Sequence, residues 1–165
     1  MTDDLHIRLV GSEDCEALVQ FLEENDRPEV TRYFSPFPLD KATAQRICLN
    51  GQLDRYIVAL LKGRIVGLSM LRGWNEGFDV PSLGILIDRS NTQHGIGRRL
   101  MEFTLTEARK KGCQSVRLSV HASNKRAVSL YSSLGFVEIT RESVHVFGEP
   151  DVKIVMTKAL ESHDA

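Results

Sequence analysis

The chain has 165 residues, 42% of them hydrophobic and 26% charged. That is the balance of a globular protein long enough for one substantial core. With 21 Lys plus Arg against 22 Asp plus Glu the formal net charge is -1, which argues against a general binder of nucleic acid or of an anionic membrane. No apolar run approaches the ~18 residues of a membrane span, and the acidic start MTDDLHIRLV lacks a signal-peptide pattern. Cys15, Cys48 and Cys113 are odd in number and far apart, fitting neither a disulfide framework nor a zinc cluster. These traits predict a cytoplasmic protein of one domain, residues 1–165, that uses no metal.

In chain order, His6 to Val10 alternates and predicts a short strand. Ser12 is placed to cap a helix, with Glu13 and Asp14 in its first turn and Ala17, Leu18, Phe21 and Leu22 at helical spacing. Asn25 to Leu39, interrupted by Pro28, Pro36 and Pro38, reads as loop. Asp40 can cap a second helix running to about Leu49. Arg55–Leu61 and Arg64–Leu71 read as a hairpin closed by Lys62-Gly63, followed by a connection at Gly73–Gly77 and a strand over Val80–Ile87. After Gly97 the rows Ile96/Leu100/Phe103 and Met101/Leu105/Ala108 form an apolar face wide enough to lie flat on a sheet. That helix ends at Arg109-Lys110-Lys111-Gly112. Ser115–Val120 is a strand, Asn124–Leu134 a helix closed by Gly135, and Phe136–Phe147 and Asp151–Lys158 a strand pair around Gly148-Glu149-Pro150. The order β-α-α-β-β-β-α-β-α-β-β predicts a mixed α/β domain with one sheet flanked by helices.

The segment Ile85 to Arg109 carries the clearest chemical signal. An apolar strand stops at Asp88, polar residues follow, and His94-Gly95-Ile96-Gly97 opens a helix. A strand that turns through glycines into a helix leaves backbone N–H groups unpaired at the helix N-terminus, a ready site for phosphate. A P-loop requires Gly-Lys-Ser/Thr, whereas Gly97 precedes Arg98-Arg99. A dinucleotide-binding turn requires a small residue where Leu100 stands. Two readings stay open: a plain strand-to-helix turn, or the Arg/Gln-x-x-Gly-x-Gly/Ala turn that holds the pyrophosphate of coenzyme A. Thr92-Gln93-His94-Gly95-Ile96-Gly97 matches the latter at both glycines and departs from it at Thr92, with Gln93 one place late.

A second motif separates these readings. Leu118-Ser-Val-His-Ala-Ser-Asn124-Lys-Arg-Ala-Val-Ser-Leu130-Tyr131-Ser-Ser-Leu-Gly135-Phe136 resembles the Leu-x-Val-x-x-x-Asn-x-x-Ala-x-x-Leu-Tyr-x-x-x-Gly-Phe stretch of the GNAT superfamily of N-acetyltransferases. The likeness runs from about Lys62 to Phe136, and the element order agrees over the whole chain. The resemblance implies an α/β (α+β) fold: a mixed, mostly antiparallel central sheet with a splayed strand pair and helices on both faces. It implies acetyl-CoA as cosubstrate, with the backbone of Ile85, Leu86 and Ile87 pairing with the pantetheine arm. The turn residues Gln93, His94, Gly95, Ile96, Gly97 and Arg98 would cradle the pyrophosphate, with Asn124 and Tyr131 near the coenzyme. Arg98 and Arg99 also fit a plain solvated face, and Asn124 a plain helix cap.

Acetyl transfer to an amine needs a base for the amine, a donor for the developing oxyanion and a proton for the departing thiolate. By resemblance Tyr131 gives that proton or orients the thioester; by spacing alone it is a core tyrosine beside Ala127, Leu130 and Leu134. No carboxylate lies on Pro81–Ile87, so the candidate bases are Glu76 and Asp79 in the preceding connection and His121 after the neighbouring strand, or a water relay; Glu76 also fits a plain loop carboxylate and His121 a solvent-facing or satisfied histidine. The absence of a cysteine near the motifs favours direct attack in a ternary complex. The acceptor is expected to be a primary amine, of a small molecule, lying near the aromatic segments Tyr33–Pro38 and Trp74–Phe78, whose rings equally fit the closing of a core edge. A non-catalytic acyl-CoA-binding sensor and a protein N-terminal or lysine acetyltransferase are the alternatives. No nucleic acid or membrane partner is expected; homodimers are common in the family.

Overall fold

The computed structural model describes residues 4–49, 51–91 and 95–161. It contains β1 (Leu5–Leu9), α1 (Cys15–Glu24), α2 (Pro28–Thr31), α3 (Lys41–Ile47), β2 (Arg55–Leu61), β3 (Arg64–Arg72), β4 (Ser82–Ile87), α4 (Ile96–Lys110), β5 (Ser115–His121), α5 (Lys125–Ser133), β6 (Val137–Val146) and β7 (Glu149–Ala159). The strands form one sheet in the order β1-β2-β3-β4-β5-β7-β6. Every neighbouring pair is antiparallel except β4–β5, which is parallel and registers at a single residue pair, Ser82↔Arg117. The mixed sheet with one splayed pair, expected from the family resemblance, is therefore present.

Strand periodicity assigns the two faces. Val58, Leu68, Met70 and Leu86 point into a core closed by Leu18, Phe21 and Leu22 of α1, Val30 of α2 and Ala44 and Ile47 of α3. Ile57, Ala59 and Val66 point the other way, onto Ile96 and Leu100 of α4. Further along, Leu71, Leu83, Val116, Leu118 and Val120 meet Met101, Leu105 and Ala108 of α4 and Tyr131 of α5. Burying an aliphatic side chain of this kind contributes ~1.5–3 kcal/mol, so both apolar rows read from the sequence of α4 hold it against the sheet. Among the described residues no helix is long and apolar enough to cross a membrane.

Local departures from the sequence reading have simple causes. Ser12 does not cap α1: Ser12–Asp14 forms a 3-10 turn. The Asp14 carboxylate instead accepts from the Gly11 N–H (2.8 Å) and from Arg8 (2.6 and 2.8 Å). The Asn25–Leu39 segment is not all loop, because Pro28 takes the first position of the short α2, where its missing N–H costs nothing. The last hairpin turns at Phe147 and Gly148 (φ 50° and 81°), so Glu149 and Pro150 already lie in β7. Asp40 does cap α3, accepting from Thr43 N at 2.9 Å. The β3–β4 connection is tied down by Asp54, which accepts from the N–H groups of Gly73, Trp74 and Asn75 (2.9–3.2 Å).

Candidate active site

The single registered pair makes β4 and β5 the two arms of a V. Asp88 N donates to Val66 O (2.9 Å), which fixes the antiparallel phase: the even-numbered residues of β4 exchange hydrogen bonds with β3, and the odd-numbered ones aim N–H and C=O at β5. At the closed end this edge is used, since Arg117 N donates to Pro81 O (3.1 Å). Beyond it, the backbone groups of Ile85 and Ile87 face the gap. On the other arm, Ala122 N donates to Val152 O (2.7 Å), so the even residues of β5 serve β7, and Ser119 and His121 turn their backbone edges to the gap. Asn124 N takes the His121 carbonyl (2.9 Å); the rest of the two facing edges, groups of a kind ordinarily paired when buried, suits an extended, amide-bearing arm that adds as a strand.

Ile85 and Ile87 thus turn their backbone to the gap. Leu86 does not: its backbone pairs with Leu68 and its side chain is buried in the core against α1–α3, because residues of opposite parity serve opposite edges.

The open end of the V leads to the N-terminus of α4. Gly95 caps it with φ 70° and nothing within 4 Å of a Cβ built upon it, a left-handed position with free space above it. Gly97 lies between β4 and α5, its built Cβ 3.5 Å from Leu130 and 3.9 Å from Ile87. Gln93 and His94, with Thr92, lie outside the described residues. Neither α4 nor α5 has an acid in its first turn; their first turns carry Arg98 and Arg99, and Lys125 and Arg126. Cations there oppose the helix dipole, and Arg98 joins the two helices by donating to Ser133 Oγ (2.6 Å). The α4 N-terminus, which meets the C-terminal end of α5 through this bond, joins a basic first turn to first-turn amides, an arrangement that fits a phosphate group. Asn124 caps α5, accepting from Ala127 N at 3.4 Å.

The two faces of the gap carry different chemistry. Tyr131 lies on the α4–α5 face, 8% exposed, with its ring 6.0 Å from Phe136. Burial pushes its phenol up to about 12, so it keeps its proton at any physiological pH and has a hydrogen to donate. His121 points to the opposite face, its ring 6.1 Å from Tyr33. Its Nδ1 is buried without a hydrogen-bond partner, 3.9 Å from Asp151 Oδ2. Glu76 is exposed in the connection before the closed end of the V, and nothing brings it to the open end.

The aromatic segments mostly pack. Phe34 is buried and meets Phe37 edge-on at 5.5 Å, Trp74 sits under Lys111 at 4.6 Å, and only Tyr33 of that loop stands beside His121. His145 is exposed beside the hairpin tip, paired with Pro150 on the other face of the sheet. Asp151, Ser123, Lys125 and Arg126 were not singled out from the sequence. Antiparallel pairing of the last strand with β5 was the one signal that could have brought Asp151 to His121.

Comparison with known proteins agrees with this geometry. The family model described as "Acetyltransferase (GNAT) family" matches residues 16–136. A curated relative, the [ribosomal protein bS18]-alanine N-acetyltransferase of Escherichia coli K12, is 43% identical over 56 residues, 34% of this chain and 38% of its own length. The match thus spans under two-fifths of that relative. Among solved structures, a GCN5-related N-acetyltransferase from Kribbella flavida superposes with TM-score 0.82 at 22% identity, covering 97% of this chain and 100% of that one. The yncA protein of Salmonella typhimurium, solved with its cofactor acetyl-CoA, gives 0.80 at 20% identity over 99% and 98%.

Proposed function

Because the chain belongs to the acetyltransferase (GNAT) family, we propose that it moves an acetyl group from acetyl-CoA to a primary amine by direct attack in a ternary complex. The carrying observation is the gap itself: the backbone edges of Ile85 and Ile87 face it, and Gly97 at the α4 N-terminus lies beside Ile87. In this reading the coenzyme supplies the activated thioester. The edge of β4 holds its arm, and the backbone amides from Gly95 to Arg98 hold its pyrophosphate, with Arg98 adding charge. Tyr131 donates its phenolic hydrogen toward the sulfur, and the rise in its pKa makes positioning rather than ready proton release its contribution. His121, on the opposite face, accepts the proton that the ammonium must lose before the nitrogen can attack. Glu76, at the closed end, has no part in it.

We take the acceptor to be a small-molecule amine entering over Tyr33 on the α1–α3 face. A second reading, a protein α-amine, is favoured by the name of the Escherichia coli relative. One experiment decides between them and tests the whole. Calorimetry with CoA is followed by thiol-release assays with spermidine, tyramine, glucosamine, an Ala-initiated peptide and an internal-lysine peptide. Transfer to the free amines alone supports the first reading, and transfer to the Ala-initiated peptide replaces it with the second. Tight CoA binding with no transfer to any amine would make the protein an acyl-CoA sensor instead.

A further inference from the structure

We propose that Asp151 is a positioning residue for His121: its carboxylate holds the imidazole in the tautomer with hydrogen on Nδ1 and leaves Nε2 free to accept a proton. The proposal rests on the reading of His121 as the base.

Asp151 sits on β7, in register two residues beyond the His121↔Lys153 pair, so both side chains lie on the α1–α3 face. Its side chain is 7% exposed, yet its oxygens are well satisfied. Val152 N donates to Oδ1 at 2.7 Å and Ser123 N at 3.3 Å, and the Ser123 hydroxyl donates to Oδ2. These bonds, the Ser123 hydroxyl foremost, hold the carboxyl below the usual carboxylate range, so it is an anion at neutral pH. Ser123 Oγ also lies 3.3 Å from the Tyr33 hydroxyl. With the one serine proton committed to the carboxylate, tyrosine is the donor of that pair, which fixes the ring that walls His121.

The anion faces an otherwise unpartnered nitrogen. His121 Nδ1 is 3.9 Å from Oδ2 and makes no hydrogen bond, while its side chain is 18% exposed. A carboxylate accepts and cannot donate. A neutral imidazole beside it therefore keeps its hydrogen on Nδ1, and a small rotation of the ring closes the ~1 Å to hydrogen-bonding distance. Catalytic contacts are commonly long before substrate arrives. The other groups on this face do not substitute for Asp151. Lys153, opposite His121, repels an imidazolium, and its β6 neighbour Glu142 lies one strand further away. Arg32, stacked over the Tyr33 ring at 5.0 Å, is also cationic. Asp151 is the anion that offsets them.

The test is a double-mutant cycle joined to a measurement on the free protein. Asp151→Asn should lower kcat roughly 10- to 100-fold with the best acceptor of the amine panel, leaving the KM for acetyl-CoA within about twofold. In a His121→Ala background the same substitution should cost almost nothing, because groups acting as a unit are not additive. In unliganded protein, 15N spectra of His121 should show the Nδ1–H tautomer, and Asp151→Asn should shift it toward Nε2–H. Equal losses in both backgrounds, or an unchanged tautomer, overturn the proposal. If Asp151→Asn does not fold, Ser123→Ala loosens the same carboxylate, and the same non-additivity with His121→Ala is required. Full turnover by His121→Ala alone defeats the reading of His121 as base; the tautomer result then still decides whether Asp151 orients it.

Discussion

Replacing Arg98 by Glu should raise the stability of the protein and weaken coenzyme binding at the same time. Arg98 is the third residue of α4, whose first turn holds no acid, and that position is where an acidic residue favours a helix most. A charge near a helix terminus is worth ~0.3–1 kcal/mol, so exchanging an unfavourable one for a favourable one yields roughly 0.6–2 kcal/mol. The exposed hydrogen bond from Arg98 to Ser133 Oγ is lost, at about 0.5 kcal/mol. The net gain of about 0.1–1.5 kcal/mol corresponds to a rise in Tm of up to roughly 6 °C for a domain of this size. A charge-assisted contact to phosphate is worth about 1.5–3 kcal/mol, so the Kd for CoA should rise roughly 10- to 100-fold. Thermal melting of the free protein and calorimetry with CoA read the two effects separately, and added salt should shrink both. A fall in Tm alongside the affinity would mean Arg98 is structural. A higher Tm with unchanged CoA affinity would mean the phosphates bind elsewhere.

Tyr131→Phe should lower kcat while the Kd for CoA stays within about twofold; unaltered turnover would remove the phenol from the mechanism. The same variant should flatten the alkaline loss of stability. A phenol raised from about 10 unfolded to about 12 folded contributes stability that is present below pH ~10 and lost as pH rises toward 12, up to about 3 kcal/mol. Urea melts at pH 8 and pH 11 should show a smaller drop for Phe than for Tyr, and equal drops would refute the burial argument. Ile85→Pro should fold, because the N–H it deletes faces the gap, but should bind CoA less tightly. Leu86→Pro removes a hydrogen bond to β3 and should unfold the sheet. If circular dichroism shows the two variants equally folded, the assigned strand phase is wrong.

The legible parts of the sequence were those whose signal is local. Periodicity marked α4 and the strands, Asp40 marked its helix, and Lys62-Gly63 marked its hairpin because each rests on residues a few positions apart. The proposed coenzyme side rests on a signal of the same local kind, since strand, glycine turn and helix are contiguous in the sequence between Ile85 and Arg98. Leu86 was misplaced because its run Ile85-Leu86-Ile87 is apolar throughout, and only the pairing with β3 shows which parity faces the gap. The acceptor side was hidden because it is assembled from distant pieces: Tyr33, His121 and Asp151 meet only when β7 inserts between β5 and β6. The aromatics of the Tyr33–Pro38 loop left two readings open for a related reason, since composition does not distinguish a ring that closes a core from one that lines a cleft.

The places where this chain breaks local rules converge. A strand edge is left unpaired at Ile85 and Ile87, two helices begin with cations against their dipoles, and a buried imidazole nitrogen lacks a partner. Each costs stability by itself, and sequences selected for folding alone remove such conflicts. The edges form the wall of the gap between β4 and β5, Arg98 stands at the α4 N-terminus beyond its open end, and His121 lies on its α1–α3 face. Ligands that add a strand, bring phosphate and present an ammonium would relieve the three in turn. That correspondence, more than any one residue, is the argument for the proposed seat of the coenzyme in this gap. It also explains why the Arg98 and Ile85 substitutions should separate binding from stability rather than lower both.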